Sequence, residues 1–116
     1  MKYELEERVE KFGENTIDFA KSIKLTSITK NIIEQLIAAA TSVGANYFEA
    51  NGVSSKKDFL NKIYICKKEV IESQHWFRMI IEAVETNNQT ALKLWQEAKE
   101  LGMIFSKIIS NVKNKP

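Results

Sequence analysis

The chain has 116 residues, 44% of them hydrophobic and 28% charged, with a net charge of +2. That suits one domain around one core, and excludes both a disordered chain and the strongly basic composition of a dedicated nucleic-acid binder. A single Cys excludes an intrachain disulfide and fits a reducing cytoplasm.

The opening residues, Met1 to Glu7, are charged and carry no apolar signal-peptide core. No apolar run approaches the roughly 20 residues of a membrane span. The sole Pro is Pro116, which favours long helices over a turn-rich β fold.

The spacing predicts a first helix over about 4–23. Leu5, Val9, Phe12, Thr16, Phe19 and Ile23 recur at alternating intervals of four and three, the seam of a helix packed against others. A short connection follows at Lys24-Leu25-Thr26-Ser27, with Ser27 expected as the N-cap of the next helix.

A second helix is expected over 28–51, along Ile32/Ile33, Leu36, Ala39/Ala40, Val43, Tyr47 and Ala50. Ile37 and Phe48 fall off that stripe. Asn51-Gly52 ends it, since Gly accepts the left-handed conformation at low cost. Within this helix lies Thr41-Ser42-Val43-Gly44-Ala45-Asn46-Tyr47-Phe48-Glu49-Ala50. Gly is about 1 kcal/mol worse than Ala in a helix interior. A helix that keeps such residues is expected to need close backbone approach or a polar group at a fixed place. Asn46 falls at the edge of the seam, where an unpaired amide is costly. Together with Glu49 it reads as a hydrogen-bonding residue at a helix–helix or subunit contact.

The third helix is expected from Ser54 or Ser55 to about 85, with Asp58 in its first turn complementing the helix dipole. Its seam is Phe59, Ile63, Cys66, Val70, Ser73, Phe77, Ile80/Ile81 and Val84. A turn over 85–89 follows, with Asn88 as its expected cap. The fourth helix is expected over 89–112 along Ala91, Leu94/Trp95, Ala98, Leu101, Phe105, Ile108 and Val112. The predicted fold is all-α: one up-down-up-down antiparallel four-helix bundle filling 1–116.

The third helix carries more apolar surface than a lone bundle needs. Leu60, Tyr64 and Ile71 form a second stripe roughly 120° from the seam at ~100° per residue. Ile65, Trp76 and Met79 form a third on the opposite flank. Scattered surface apolar residues are ordinary, and a bulky third helix beneath two neighbours is one explanation. Self-association is the better one. Two different patches on one subunit point to head-to-tail contacts that close into a ring.

The residues offer little chemistry. His75 is the only His, so a zinc site lacks ligands. Cys66 lies in the seam, nine residues from His75, and reads as a small hydrophobe rather than a nucleophile. Glu49, Glu69, Glu72, Glu97 and Glu100 evoke di-iron bundles, but only Glu72 and His75 give the Glu-x-x-His spacing and no second copy exists. No catalytic residue, metal site or cofactor is expected. Lys56, Lys57, Lys62, Lys67 and Lys68 cluster early in the third helix, and Lys56, Lys57, Lys67 and Lys68 are candidate phosphate contacts. Interleaved Asp58, Glu69 and Glu72 favour an ordinary solvated face.

The stretch Thr41 to Ala50 resembles the signature of bacterial four-helix bundle proteins encoded in intervening sequences of large-subunit ribosomal RNA genes. So do Leu5-Glu6-Glu7-Arg8 with Phe12, Ile17 and Phe19, then Lys57 to Lys62 with Lys68-Glu69, Glu72 and Trp76. Glu97 to Leu101 with Ile104-Phe105 and Ile108-Ile109 completes the pattern. Where many members of that family carry an Arg, this chain has Ala38. The resemblance implies a ring-shaped bundle assembly, typically a homopentamer, with no known enzymatic activity. It also implies a relation to accessory proteins of retroelements, which bind a reverse transcriptase and nucleic acid.

The expected function is a cytoplasmic, non-enzymatic homo-oligomeric scaffold or interaction module. The candidate interface is Leu60, Tyr64, Ile65, Ile71, Trp76 and Met79 with Asn46 and Glu49. The alternative is an RNA-associated protein or a reverse-transcriptase accessory subunit.

Overall fold

Helices form where the four apolar seams run: α1 spans Lys2–Lys21, α2 Thr29–Gly52, α3 Lys56–Ala83 and α4 Asn88–Lys113. The structure, a computed structural model, describes residues 2–85 and 88–115, with side chains from residue 4 onward. No strand occurs among the described residues. Part of the expected 85–89 turn, Thr86-Asn87, lies outside them.

Two starts differ from expectation. Ser27 does not cap α2. Thr26 does: its Oγ1 accepts from the backbone N–H of Ile28 and Thr29 at 3.2 and 3.1 Å, and Thr29 Oγ1 accepts from the N–H of Thr26 at 2.9 Å. This reciprocal pair is a capping box with Thr at the third position. Thr29 Oγ1 then donates to the Lys24 carbonyl at 2.7 Å, tying the loop to the helix. At α3 the cap is Ser55 rather than Ser54, its Oγ accepting from the Asp58 N–H at 3.1 Å. Asn88 is not a cap but the first residue of α4, and its buried Oδ1 accepts no hydrogen bond from a described residue.

Neighbours pack in chain order: α1 on α2, α2 on α3, α3 on α4, with α4 closing back on α1. The bundle measures 51 × 20 × 19 Å. Its centre is aromatic and joins helices across both diagonals. Phe77 of α3 meets Phe12 of α1 edge-on, with ring centroids 6.2 Å apart, and Phe19 at 6.1 Å. Tyr47 of α2 meets Phe105 of α4 at 6.1 Å. Leu36, Val43, Ile63, Val70, Ile80 and Leu101 are fully buried around them.

The α1–α4 seam is the most open, and a cleft of about 570 Å³ lies there, bordered by Leu5, Arg8, Tyr47, Asn51, Phe59 and Ile108. Phe59, expected in the core seam, is half-buried at this cleft because α1 and α4 leave it uncovered at the start of α3.

The small polar stretch of α2 behaves differently from expectation. Thr41, Ser42 and Asn46 donate to the carbonyls of Ile37, Ala38 and Ser42, four residues back, at 2.7, 2.7 and 2.8 Å. Both hydroxyls and the Asn46 amide nitrogen thus donate within their own helix. Close approach is real: a Cβ on Gly44 would lie 3.6 Å from the Val9 carbonyl oxygen of α1, and one on Gly13 would lie 3.7 Å from that of Ala40. The space admits a methyl and little more.

Phe77→Ala is expected to lower stability by about 3–5 kcal/mol, the usual cost of emptying a buried Phe site. Phe59→Ala should lose roughly half as much, since only part of its ring leaves water. Urea denaturation of both variants checks the order.

Candidate interaction surfaces

The carboxylates that evoke a di-iron bundle do not gather at one metal-sized site among the described residues. Arg8 of α1 takes Glu97 of α4 in a fork, Nε to Oε2 at 3.0 Å and Nη2 to Oε1 at 2.6 Å, and reaches Glu100 at 3.2 Å. The Glu97 hydrogen bond foremost raises the Arg8 pKa above its ordinary value. Glu49 of α2 is taken by Lys62 of α3 at 2.6 Å. Glu69 is half-buried on α3, and burial, followed by the charge of Glu72, pushes its pKa up. Among the described residues no three of His, Cys, Asp and Glu gather closely enough to hold a metal ion. His75 lies edge-on to Trp76 at 4.7 Å, exposed.

Cys66 is fully buried, its thiol donating to the Val43 carbonyl at 3.5 Å. Burial pushes it up to about 12. A thiol this far from thiolate is a poor nucleophile.

The two flanks of α3 have different fates. Trp76 rests half-buried against the subunit's own core, and Ile65 is also half-buried, whereas Met79 is exposed. Asn46 is bonded to its own helix, and Glu49 bridges to α3 of the same chain. On the other flank Tyr64 and Ile71 are exposed beside α4, whereas Leu60 is half-buried against the core. There Lys56, Lys57, Leu60, Tyr64 and Lys113 border one depression. Lys67, Ile71, Lys99, Gly102 and Met103 border a second, and Arg78, Ile81, Glu82, Leu92 and Trp95 a third. Ile71 is 53% and Met103 64% exposed. Met103 and Leu92 were missed in the sequence. Their signal was a second stripe on α4, Leu92, Trp95, Lys99, Met103 and Ser106, at helical spacing.

The lysines named as phosphate contacts divide. Lys56, Lys57 and Lys67 border this α3–α4 face, whereas Lys68, one residue after Lys67 and so ~100° round the helix, borders none of its depressions.

A different groove separates α1 from α2, about 430 Å³, bordered by Glu6, Glu7, Glu10, Lys11, Glu14, Gly44 and Phe48. Phe48 is 67% exposed there.

Fold and surface therefore define a four-helix bundle with no metal-binding cluster among its described residues and with exposed apolar side chains in its helix grooves. A sequence model of the 23S rRNA-intervening sequence protein family matches residues 2–111, and the chain belongs to that family. Among solved structures it is similar to a protein of unknown function from the S23 ribosomal protein family of Bacteroides thetaiotaomicron. The TM-score is 0.78 at 22% identity, over 90% of this chain and 97% of that one. No match is found among curated proteins. Among the described residues no helix is long and apolar enough to cross a membrane.

The Cys66 thiol should resist an aromatic disulfide reagent at pH 8 in the folded protein and react fully once urea unfolds it, read by absorbance. Because the folded pKa is raised, the neutral thiol's contribution to stability is intact below its ordinary value of 9.0 and is lost as pH rises toward about 12.

Proposed function

We propose that the protein is a non-enzymatic interaction module of the cytoplasm that works as an assembly of identical subunits. The observation that carries this reading is the apolar face along α3 and α4, where Tyr64, Ile71, Leu92 and Met103 are exposed. Large contiguous apolar patches on a soluble chain mark interaction sites. One side of the 51 × 20 × 19 Å bundle has room for the roughly 800 Å² per partner of a standard stable interface. A ring of five copies is the expected closed form, in keeping with the family resemblance.

A catalytic role has less support. The buried thiol is held neutral, and the carboxylates of Glu49, Glu97 and Glu100 are engaged by cations.

Sedimentation equilibrium at tens of micromolar tests the reading, a concentration range at which ordinary obligate oligomers remain assembled. The expected result is a mass several times the 13.3 kDa of one chain. Ile71→Lys should lower that mass while leaving helicity intact, because the side chain is already more than half exposed. A monomer for the unaltered chain would contradict the reading.

A further inference from the structure

The α3–α4 face is not only apolar. Its three depressions bring together six cations, Lys56, Lys57, Lys67, Arg78, Lys99 and Lys113, against one acid, Glu82. Lys99 lies over the Trp95 ring at 5.8 Å, and Lys113 approaches the Tyr64 hydroxyl at 3.3 Å. Neither Lys67 nor Arg78 makes a hydrogen bond or ion pair with a described residue.

The α1–α2 groove has the opposite character. Four acids and one cation, Lys11, border it, and Lys11 is already paired with Glu14 at 3.7 Å. Phe48 stands exposed at its edge. Chain order places these grooves on opposite sides of the bundle, since α1 packs on α2 and α3 on α4.

We infer that the occupant of the basic α3–α4 face is the acidic α1–α2 groove of a second copy of this chain, with Phe48 as the apolar anchor among Ile71 and Met103. The inference rests on the self-association proposed above and names the two surfaces that meet. Charge decides against the alternatives within one kind of subunit. A two-fold dimer pairs a patch with itself, which here sets cations against cations or acids against acids, and like charges facing each other suppress a pairing. The heterologous pairing sets cations against acids at both rims and buries the apolar centre. It also leaves each subunit with one unfilled face of each kind, so assembly continues beyond a dimer and ends in a ring only where the rotation between neighbours closes.

Charge reversal tests this. One variant carries Glu7→Lys, Glu10→Lys and Glu14→Lys; the other carries Lys67→Glu, Arg78→Glu and Lys99→Glu. Mass is read by light scattering at low ionic strength, and helicity by circular dichroism. Each variant alone should associate at least roughly tenfold more weakly, since the charge opposition between its two faces is lost: the first turns three of the groove's four acids into cations, and the second leaves three cations against four acids on the α3–α4 face. An equimolar mixture should associate more strongly than either variant alone, because every contact between unlike variants is again between opposite charges, although a ring of five keeps one contact between like variants. Should a triple variant lose helicity, Phe48→Asp reads the same surface at an already exposed position, and weakened association is again expected.

Full mass in both triple variants and in Phe48→Asp overturns the pairing while leaving self-association intact. A monomeric unaltered chain overturns both. If the α3–α4 variant keeps its mass but loses binding to a single-stranded RNA probe, the basic face belongs to RNA and the pairing is wrong.

Discussion

The contact of Phe77 with Phe12 and Phe19 fixes what the rest of the molecule can do. It ties α3 to α1 across the bundle, as Tyr47 and Phe105 tie α2 to α4. With both diagonals filled by rings, the four helices settle in a square whose corners are consecutive in the chain. Each helix then has two covered flanks and one side left to water. Aromatic pairs in this geometry add about 0.5–1.5 kcal/mol each beyond the area they bury. Their larger effect is positional, because they decide which side chains remain outside.

What remains outside is unevenly shared. On α1 the exposed residues with described side chains are charged apart from Asn15 and Ile17. On α3 and α4 they include Tyr64, Ile71, Leu92 and Met103. Polar groups that might have softened the interior are satisfied locally: Thr16 and Ser73 donate to carbonyls four residues back at 2.7 and 2.8 Å. Asn88 Oδ1 is the exception among the described residues.

Helix number, order and seams were legible in the sequence because a period near 3.5 survives wherever one face must stay dry. Val43, Tyr47, Ile63, Val70 and Phe105 lie where that period puts them. The identity of each flank's neighbour was not legible. Periodicity orients a residue relative to its own helix axis, but whether Trp76 or Ile71 meets a neighbour depends on the arrangement of all four helices. Trp76 proved to be largely accounted for within the subunit, and Phe48, visible only as a residue off its stripe, proved to be exposed. Asn46 shows a different limit of the pattern. Its amide donates to the Ser42 carbonyl of its own helix, an option that spacing alone does not distinguish from a partner across the groove. Thr26 displaced Ser27 as cap because its reciprocal bonds with Thr29 satisfy more backbone donors than a lone Ser hydroxyl.

The head-to-tail pairing is tested most directly by a distance measured between subunits. Cys66 is fully buried, so a spin label on Lys11→Cys marks the rim of the α1–α2 groove alone. Unlabelled chains carrying the spin label are mixed with isotopically labelled chains that lack it, and paramagnetic broadening is read on the latter. The pairing predicts broadening around Ile71, Lys99 and Met103, on the α3–α4 face. Broadening around Glu10 and Phe48 instead, the mark of a two-fold contact, or no intermolecular broadening at all, would contradict it.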